Sequence, residues 1–141
     1  MLEEGDILVV RTNGSADLVG RCAVVPALQE TMAFASYMIR LRCDHRCVDP
    51  QFLQFVLHQR RTAGQLFNLA RTTAGQYNVS LGRLRNTQIP LPPISEQRRI
   101  VAYLDSLQAK VDELHRLQAE TQKELDALMP AILDKAFKGE L

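Results

Sequence analysis

The last third of the chain carries a regular stripe of apolar positions. From Ile100 onward the stripe positions follow one another at alternating spacings of four and three residues, and eight of the ten are apolar. They are Ile100, Leu104, Leu107, Val111, Leu114, Gln118, Thr121, Leu125, Leu128 and Ile132. A spacing that averages about 3.5 residues predicts a long amphipathic α-helix whose stripe forms the seam of a coiled coil. The two polar positions, Gln118 and Thr121, are expected to fix its register.

Local signals mark both ends of this helix. Ser95 is a good N-cap residue, and Glu96 places a negative charge in the first turn, where the helix dipole favours it. Pro130 lacks a backbone donor, so we expect it to kink or end the helix and to leave Ala131–Phe137 as a short second segment. Because so long a helix cannot bury its whole stripe on a small lobe, the sequence predicts a partner helix.

The first third of the chain is patterned for strands. Ile7–Val10 is a short apolar, β-branched run between Gly5-Asp6 and Asn13-Gly14, which is typical of a strand between two turns. Gly20–Val25 is its expected partner, and Ala33–Leu41 is a third predicted strand. This part of the chain is therefore expected to be mainly β-structure.

A helical pattern follows. Asp49-Pro50 supplies an N-cap residue and a proline at the first helical position, and the next apolar residues recur at helical spacing to about Arg61. Gly64 is expected to break this helix, with a further short helical turn at Gln65–Ala70 and a loop at Arg71–Asn78.

A second short helix and an extended segment close the first part of the chain. Ser80 is a candidate cap for one more helical turn, through Leu84. Thr87–Pro93 must be extended, because each proline removes a donor and keeps the preceding residue out of the helical region. The predicted fold class is α+β: a small mixed lobe at residues 1–93, followed by a long C-terminal coiled-coil α-helix at residues 94–141.

Charge is distributed unevenly, although the formal net charge is only +1. Residues 50–95 contain five arginines and no Asp or Glu, whereas acids outnumber bases on both sides of this segment. The planar guanidinium of arginine bonds guanine edges and phosphates in a bidentate way, so this segment favours a nucleic-acid partner. The alternative is a solvated cationic face that balances the flanking acids.

Composition indicates where the protein is located and whether it binds metal. The chain begins with an acidic segment and has no apolar run long enough for a membrane span, which favours a cytoplasmic protein without membrane association. Three cysteines without an export signal indicate reduced thiols. Cys43, His45 and Cys47 form a possible zinc half-site, but no second pair follows at finger spacing, so we expect no metal.

No catalytic motif is convincing. Pro92-Pro93 is similar to the Pro-Pro of amino-methyltransferases, but Leu91 stands where an Asn or Asp is required. No glycine-rich cofactor loop follows a strand, and no phosphate loop is present. We therefore expect a non-catalytic protein without a cofactor.

Landmarks in a consistent order resemble one protein family. Gln88–Leu104 (QIPLPPISEQRRIVAYL) is similar to the junction in type I restriction-modification specificity subunits where a target-recognition domain passes into its spacer helix. Ile132–Leu141 (ILDKAFKGEL) resembles the end of such spacers, and Leu2–Arg11 (LEEGDILVVR) resembles a strand inside the recognition domain. Asp49–Leu57 and Asn78–Leu84 fit the looser family pattern, so the resemblance covers essentially the whole chain.

The resemblance implies a function and partners. Recognition domains of this family each read one half of a split site in double-stranded DNA, and spacer helices pair as an antiparallel coiled coil. Activity would come from the methyltransferase and restriction subunits. We expect a homodimer or pairing with a second spacer helix. Because the family's recognition domains begin some tens of residues before the strand at Leu2–Arg11, we expect the opening part of the domain to be missing and the chain to be at most half a subunit.

Candidate DNA-binding residues lie in three groups. The first group flanks the Asn13-Gly14 turn. The second and third lie in the acid-free segment 50–95, and the third is expected to contact phosphates. They are Arg11, Asn13 and Ser15; Arg71, Thr72, Thr73, Gln76, Tyr77 and Asn78; and Arg83 and Arg85. Two alternatives stay open: Asn13 only supplies turn geometry, and the two last arginines only solvate their short helix. At the level of function, the alternative is a coiled-coil assembly protein, or a decayed remnant, that does not read DNA.

Overall fold

The computed structural model describes residues 1–64, 70–71 and 75–139. The chain divides into two compact units, Met1–Val101 and Ala102–Leu141. The elements in chain order are β1 (Ile7–Val10), β2 (Thr12–Asn13), β3 (Cys22–Val24), β4 (Met38–Leu41), α1 (Pro50–Thr62), β5 (Ala70–Arg71), β6 (Tyr77–Asn78), α2 (Leu81–Arg85) and α3 (Ile94–Lys138). The predicted α+β class is confirmed, with a small sheet region followed by one long helix.

The first sheet is antiparallel, with β1 between β3 and β4. Ile7 faces Val24 on one side and Leu41 on the other, and Val9 faces Cys22 and Ile39. Because side chains alternate along a strand, Ile7 and Val9 point to the same face and both are fully buried. The predicted strand at 7–10 is confirmed. Of the strand predicted at 20–25, only Cys22–Val24 forms β3, and the third begins only at Met38 and leaves residues 33–37 as loop.

The hydrophobic core joins this sheet to two helices. Ile7, Val9 and Ile39 pack against Leu57 of α1 and Leu84 of α2. Burying side chains of this size from two strands and two helices contributes about 1.5–3 kcal/mol each, which holds the short elements together.

Helix α1 begins as its sequence predicts. The Asp49 carboxylate accepts hydrogen bonds from the amides of Gln51 and Phe52, at 3.0 and 3.1 Å, and Pro50 occupies the first helical position. The helix ends at Thr62, and Gly64 follows with a φ of 67°, a backbone conformation that glycine adopts readily. Of the further short helical turn predicted at Gln65–Ala70, residues 65–69 lie outside the described residues, and Ala70 lies in β5.

A buried carboxylate anchors the start of β1. Asp6 is 2% exposed and accepts two hydrogen bonds from the Arg42 guanidinium, at 2.8 and 2.9 Å, and one from the Glu3 amide. The hydrogen bonds from Arg42 are the main reason that the pKa of Asp6 is lowered to about 2. The ionised carboxylate therefore ties the first residues of the chain to the end of β4.

Helix α3 spans 45 residues, about 67 Å at 1.5 Å per residue. Its first two turns, to Val101, belong to the first compact unit. The helix does not end at Pro130 but continues through it to Lys138, so the predicted stop is wrong, and a kink there stays a prediction. Losing one backbone donor leaves most of the surrounding hydrogen bonds in place. Over the described residues, no helix is long and apolar enough to cross a membrane.

Candidate nucleic-acid interface

A second antiparallel sheet brings two distant candidate segments together. In it β6 lies between β2 and β5. Thr12 faces Asn78 and Asn13 faces Tyr77 across one pair, while Arg71 faces Tyr77 across the other. The predicted loop at Arg71–Asn78 is therefore wrong at both ends, which are strands. The pairing places the candidates around Asn13 beside those around Tyr77, more than sixty residues later in the chain.

Arg11 lies where the chain passes from the first sheet to the second. Its amide donates to the Tyr37 carbonyl, and its carbonyl accepts from the Val79 amide, both at 2.8 Å. The backbone of Arg11 is thus held on both sides, while its side chain is exposed and makes no hydrogen bond or ion pair with the described residues. A fixed backbone with an uncommitted guanidinium suits binding to an anion or a base edge.

Asn13 and Ser15 form a local turn. The Asn13 side-chain oxygen accepts from the Ser15 amide at 2.9 Å, which is the usual Asx-turn arrangement. Asn13 lies in β2 and its side chain supplies turn geometry, while a DNA contact by Asn13 stays a prediction. Ser15 is exposed next to it, so its hydroxyl is accessible to a ligand.

The candidates of the acid-free segment differ in their surroundings. Asn78 is half-buried, and its side-chain oxygen accepts from the Thr12 hydroxyl at 3.3 Å. Tyr77 is also half-buried, and Gln76 is exposed. Both Gln76 and Tyr77 already interact with other groups of the protein. The backbone of Arg71 lies in β5, and Thr72 and Thr73 lie outside the described residues.

Several arginines of the lobe are committed to structure. Arg61 donates to the carbonyls of Val19, at 3.0 Å, and of Asp17, and so ties helix α1 to the loop after β2. Arg21 donates to the same Asp17 carbonyl at 2.9 Å. Three more arginines are held by nearby groups: Arg40 by the Met1 carbonyl, Arg42 by Asp6 and Glu3, and Arg46 by Asp44. Charge counts along the sequence do not separate these arginines from those free to bind a ligand.

The two phosphate candidates lie on α2, which follows β6 after two residues. The side chain of Arg85 is exposed and makes no hydrogen bond or ion pair with the described part of the chain. The backbone of Arg83 lies in the same short helix, and its side chain is outside the description. Among the described side chains, Arg11 and Arg85 are thus the uncommitted cations of the predicted set.

Tyr37 is a further candidate, which the sequence did not suggest. The carbonyl of Tyr37 accepts hydrogen bonds from the amides of Arg11 and Thr12, at 2.8 and 3.3 Å, so the residue lies against the junction of the two sheets. Tyr37 as a whole is 56% exposed. A large exposed aromatic beside an uncommitted arginine is a common feature of binding surfaces. The signal in the sequence was weak, namely two aromatic residues, Phe34 and Tyr37, in the segment 33–41.

The cysteines show no metal arrangement. No group of three or more potential ligands comes together among the residues that the structure describes, Cys43, His45 and Cys47 included. Cys22 and Cys43 are partly buried, and this burial raises the pKa of both thiols, that of Cys22 to about 11. Both are therefore protonated at neutral pH.

The predicted seam of α3 is exposed in this single chain. Its apolar members from Leu107 onward are between 37% and 57% exposed, and neighbouring apolar residues such as Met129 and Leu133 are exposed as well. An apolar stripe of this length is typical of a helix that pairs with another helix.

Comparisons with known proteins agree with this description. A family model for the type I restriction modification DNA specificity domain matches residues 2–123. The specificity subunit of the type I restriction enzyme StySPI from Salmonella potsdam is 34% identical over 140 residues, covering 99% of this chain and 30% of that protein. The EcoKI specificity subunit from Escherichia coli K12 is 30% identical over 141 residues, with coverage of 99% and 30%.

Solved structures show the same fold. A chain from a study of complex assembly and conformational transition of the type I R-M system has a TM-score of 0.72 and 35% identity, covering 99% of this chain and 32% of that one. The HsdS subunit from Thermoanaerobacter tengcongensis has a TM-score of 0.72 and 30% identity, with coverage of 91% and 32%. The present chain thus spans about a third of the length of these relatives. It belongs to the type I restriction modification DNA specificity family.

Proposed function

We propose that residues 1–93, the lobe, read one half of a split site in double-stranded DNA, and that α3 pairs with a second spacer helix. The observation that carries this proposal is the pairing of β2 with β6. It joins the two segments in which the sequence predicts DNA contacts, next to the exposed side chain of Arg11. Family membership supplies the expected ligand, because the matching model describes a DNA specificity domain.

The proposed contacts are of two kinds: contacts to phosphates, which position the protein on DNA, and contacts to base edges, which determine the sequence preference. Arg85, and Arg83 on the same helix, would contact phosphates, which set register and make affinity depend on salt. Arg11 and Ser15, with Gln76 directly before the central strand β6, have the donors and acceptors that base edges require. Tyr37 adds an exposed apolar ring, which suits contact with a thymine methyl group. Sequence preference would follow from where the backbone of the second sheet holds these side chains.

The helix would pair with a second copy in antiparallel orientation. The seam spacings read the same in both directions, so a partner running the opposite way places Ile100 against Ile132 and Leu114 against Gln118. Each polar seam residue then faces an apolar one instead of its own copy. Two lobes would lie at opposite ends of the paired helices, which would read a symmetric split site.

The remaining partners follow from the relatives. These are specificity subunits of type I restriction enzymes, so catalysis is expected in other subunits, and docking of methyltransferase and restriction subunits belongs to the proposal. A random-site selection with the chain and its methyltransferase partner tests DNA reading. A folded complex that enriches no sequence would contradict it.

A matched pair of variants tests the role of Arg11. Arg11→Ala is expected to weaken duplex binding and to lower the slope of affinity against salt by about one ion, because one uncommitted cation is lost. Arg46→Ala is the control, since Arg46 is exposed but paired with Asp44. Equal effects of the two variants would contradict the assignment.

Pairing of the helices has its own test. Leu107→Glu with Val111→Glu places charges in the seam and should convert a dimer into a monomer at micromolar concentration, measured by light scattering. Lys123→Glu changes charge on the same helix outside the seam and should leave the dimer intact. A wild-type chain that is already a strict monomer would contradict the pairing.

The exposed seam also favours a second candidate, an assembly protein without DNA reading. In that case Arg71→Ala and Gln76→Ala would leave every DNA interaction unchanged while self-association persists.

A further inference from the structure

Gln97 is a buried polar side chain near the start of α3. Its exposure is 0%, and all of its hydrogen-bonding groups are used. The side-chain nitrogen donates to the carbonyls of Cys47, at 2.8 Å, and Pro92, at 2.7 Å, and the side-chain oxygen accepts from the Asp49 amide at 2.9 Å. One amide group therefore joins three segments of the chain: the loop before α1, the proline segment and α3.

The contacts require an amide at this position. Two acceptors and one donor of the backbone face the side chain, and only Asn or Gln offers two donors and an acceptor in one plane. Glutamate would bring a negative oxygen against two carbonyls, and methionine would leave all three backbone groups unpaired. Burial of such groups without partners is costly, so the arrangement is specific for glutamine in size and chemistry.

Gln97 also lies in the register of the seam. It precedes Ile100 by three residues, as Leu104 precedes Leu107, so residue 97 continues the same stripe toward the N-terminus of the helix. On this face the stripe changes from an apolar residue to an amide whose three bonds have fixed directions. Because hydrogen bonds depend on direction while apolar contacts do not, these bonds fix the rotation of the first turn about the helix axis.

We infer that Gln97 is a positioning residue that sets how α3 leaves the lobe, and thereby the spacing between half-sites that two paired copies accept. The consequence for spacing rests on the proposed function, whereas the mechanical role does not. Val101, one turn later, is buried too, but burial of an apolar side chain adds stability without a directional constraint. The N-cap residue of α1, Asp49, is held by the same amide, so α1 and α3 are set together.

Two measurements on the full chain test the mechanical role. In the wild type, the side-chain amide protons of Gln97 should exchange with solvent far more slowly than those of Gln108, whose side chain is exposed on the same helix. Gln97→Met should speed exchange of the Asp49 amide by about tenfold or more, because its acceptor is lost. Gln108→Met is the matched control and should leave that rate unchanged.

A distance measurement follows the helix itself. Spin labels on non-natural residues at Gln59 of α1 and Arg98 of α3, both exposed and both in the first compact unit, report how firmly the first turns of α3 are held. Gln97→Met should broaden the distance distribution, with the Ile7 methyl signal showing that the core stays folded. Wild-type width in Gln97→Met, or rapid exchange of the Gln97 side-chain amide in the wild type, would overturn the inference. The exchange measurement needs no variant and decides the matter even if Gln97→Met fails to fold.

The DNA consequence is tested with duplexes that carry the selected half-sites at spacings changed in single base-pair steps. Gln97→Met should lose discrimination between spacings while preference for the half-site sequence persists. Retained spacing discrimination in a loosened variant would overturn the link between Gln97 and spacing. A wild-type chain that shows no sequence preference would contradict the proposed function, not the mechanical role of Gln97. That mechanical role is tested separately by the exchange and distance measurements.

Discussion

Replacing Asp6 by asparagine should destabilise the lobe by about 2 kcal/mol at neutral pH. The pKa of Asp6 is lowered from 3.8 to about 2, chiefly by hydrogen bonds from Arg42. Each pKa unit corresponds to about 1.4 kcal/mol, so the ionised form contributes on the order of 2 kcal/mol to folding. Asparagine keeps the shape but loses the charge and turns a donor toward the guanidinium.

The effect has a defined pH window. Because the folded pKa lies below the unfolded one, the contribution of Asp6 is fully present above about pH 4 and is lost as pH falls toward 2. The difference in unfolding free energy between wild type and Asp6→Asn should therefore shrink over that range.

The assay must report on the lobe, since α3 dominates the helical signal of the chain. Urea unfolding followed by the methyl signals of Ile7 and Ile39 meets this need, because both side chains lie in the core. Asp17→Asn is the control: its side chain is exposed, and only its carbonyl is used by the fold, so stability should change by less than about 0.5 kcal/mol. A difference that stays constant from pH 5 to 2, or no difference at pH 7, would refute the reasoning.

Three further changes test local features. Gly5→Ala should destabilise the lobe by about 1 kcal/mol or more in urea unfolding, because Gly5 has a φ of 80° and a Cβ there would lie 2.4 Å from the His45 ring. Gly14→Ala is the control and should be nearly neutral, because the space around Gly14 is open. Asp49→Ala should lower stability by about 1 kcal/mol in the same assay through loss of the N-cap of α1, and an unchanged midpoint would contradict the cap. Pro130→Ala should raise the thermal midpoint of the helical circular dichroism signal, because proline in a helix interior is unfavourable by about 3 kcal/mol; a lowered midpoint would show that this proline stabilises the helix.

The elements with strong local signals were predictable. Asp49-Pro50 marks the start of α1, and the β-branched run at Ile7–Val10 marks the central strand of the first sheet. Both depend on residues close together in sequence. The stripe from Ile100 to Ile132 predicted the long helix for the same reason. Pro130 suggested a kink or an end, and the helix continues through it to Lys138.

The second sheet was not predictable from the sequence. Its strands are two residues long, too short for an alternating pattern, and Thr12 pairs with a residue 66 positions away. The sequence also did not show which arginines make structural hydrogen bonds. Arg61 donates to a backbone carbonyl and Arg42 to a buried carboxylate, and both acceptors are distant in sequence. The sequence thus suggested which residues are candidates for DNA contact. It did not show that the pairing of β2 with β6 brings them together.

The short strands of the second sheet bear on how such a protein can evolve. Their pairing is carried by backbone groups, which every residue except proline supplies, while the core rests on other residues such as Ile7 and Leu84. Under the proposed function, substitutions at exposed positions such as Arg11, Ser15 and Gln76 would therefore change DNA contacts while leaving the core intact. Under the proposed function, a new DNA preference would need only a few substitutions on the surface of the second sheet, with the core and the long helix unchanged.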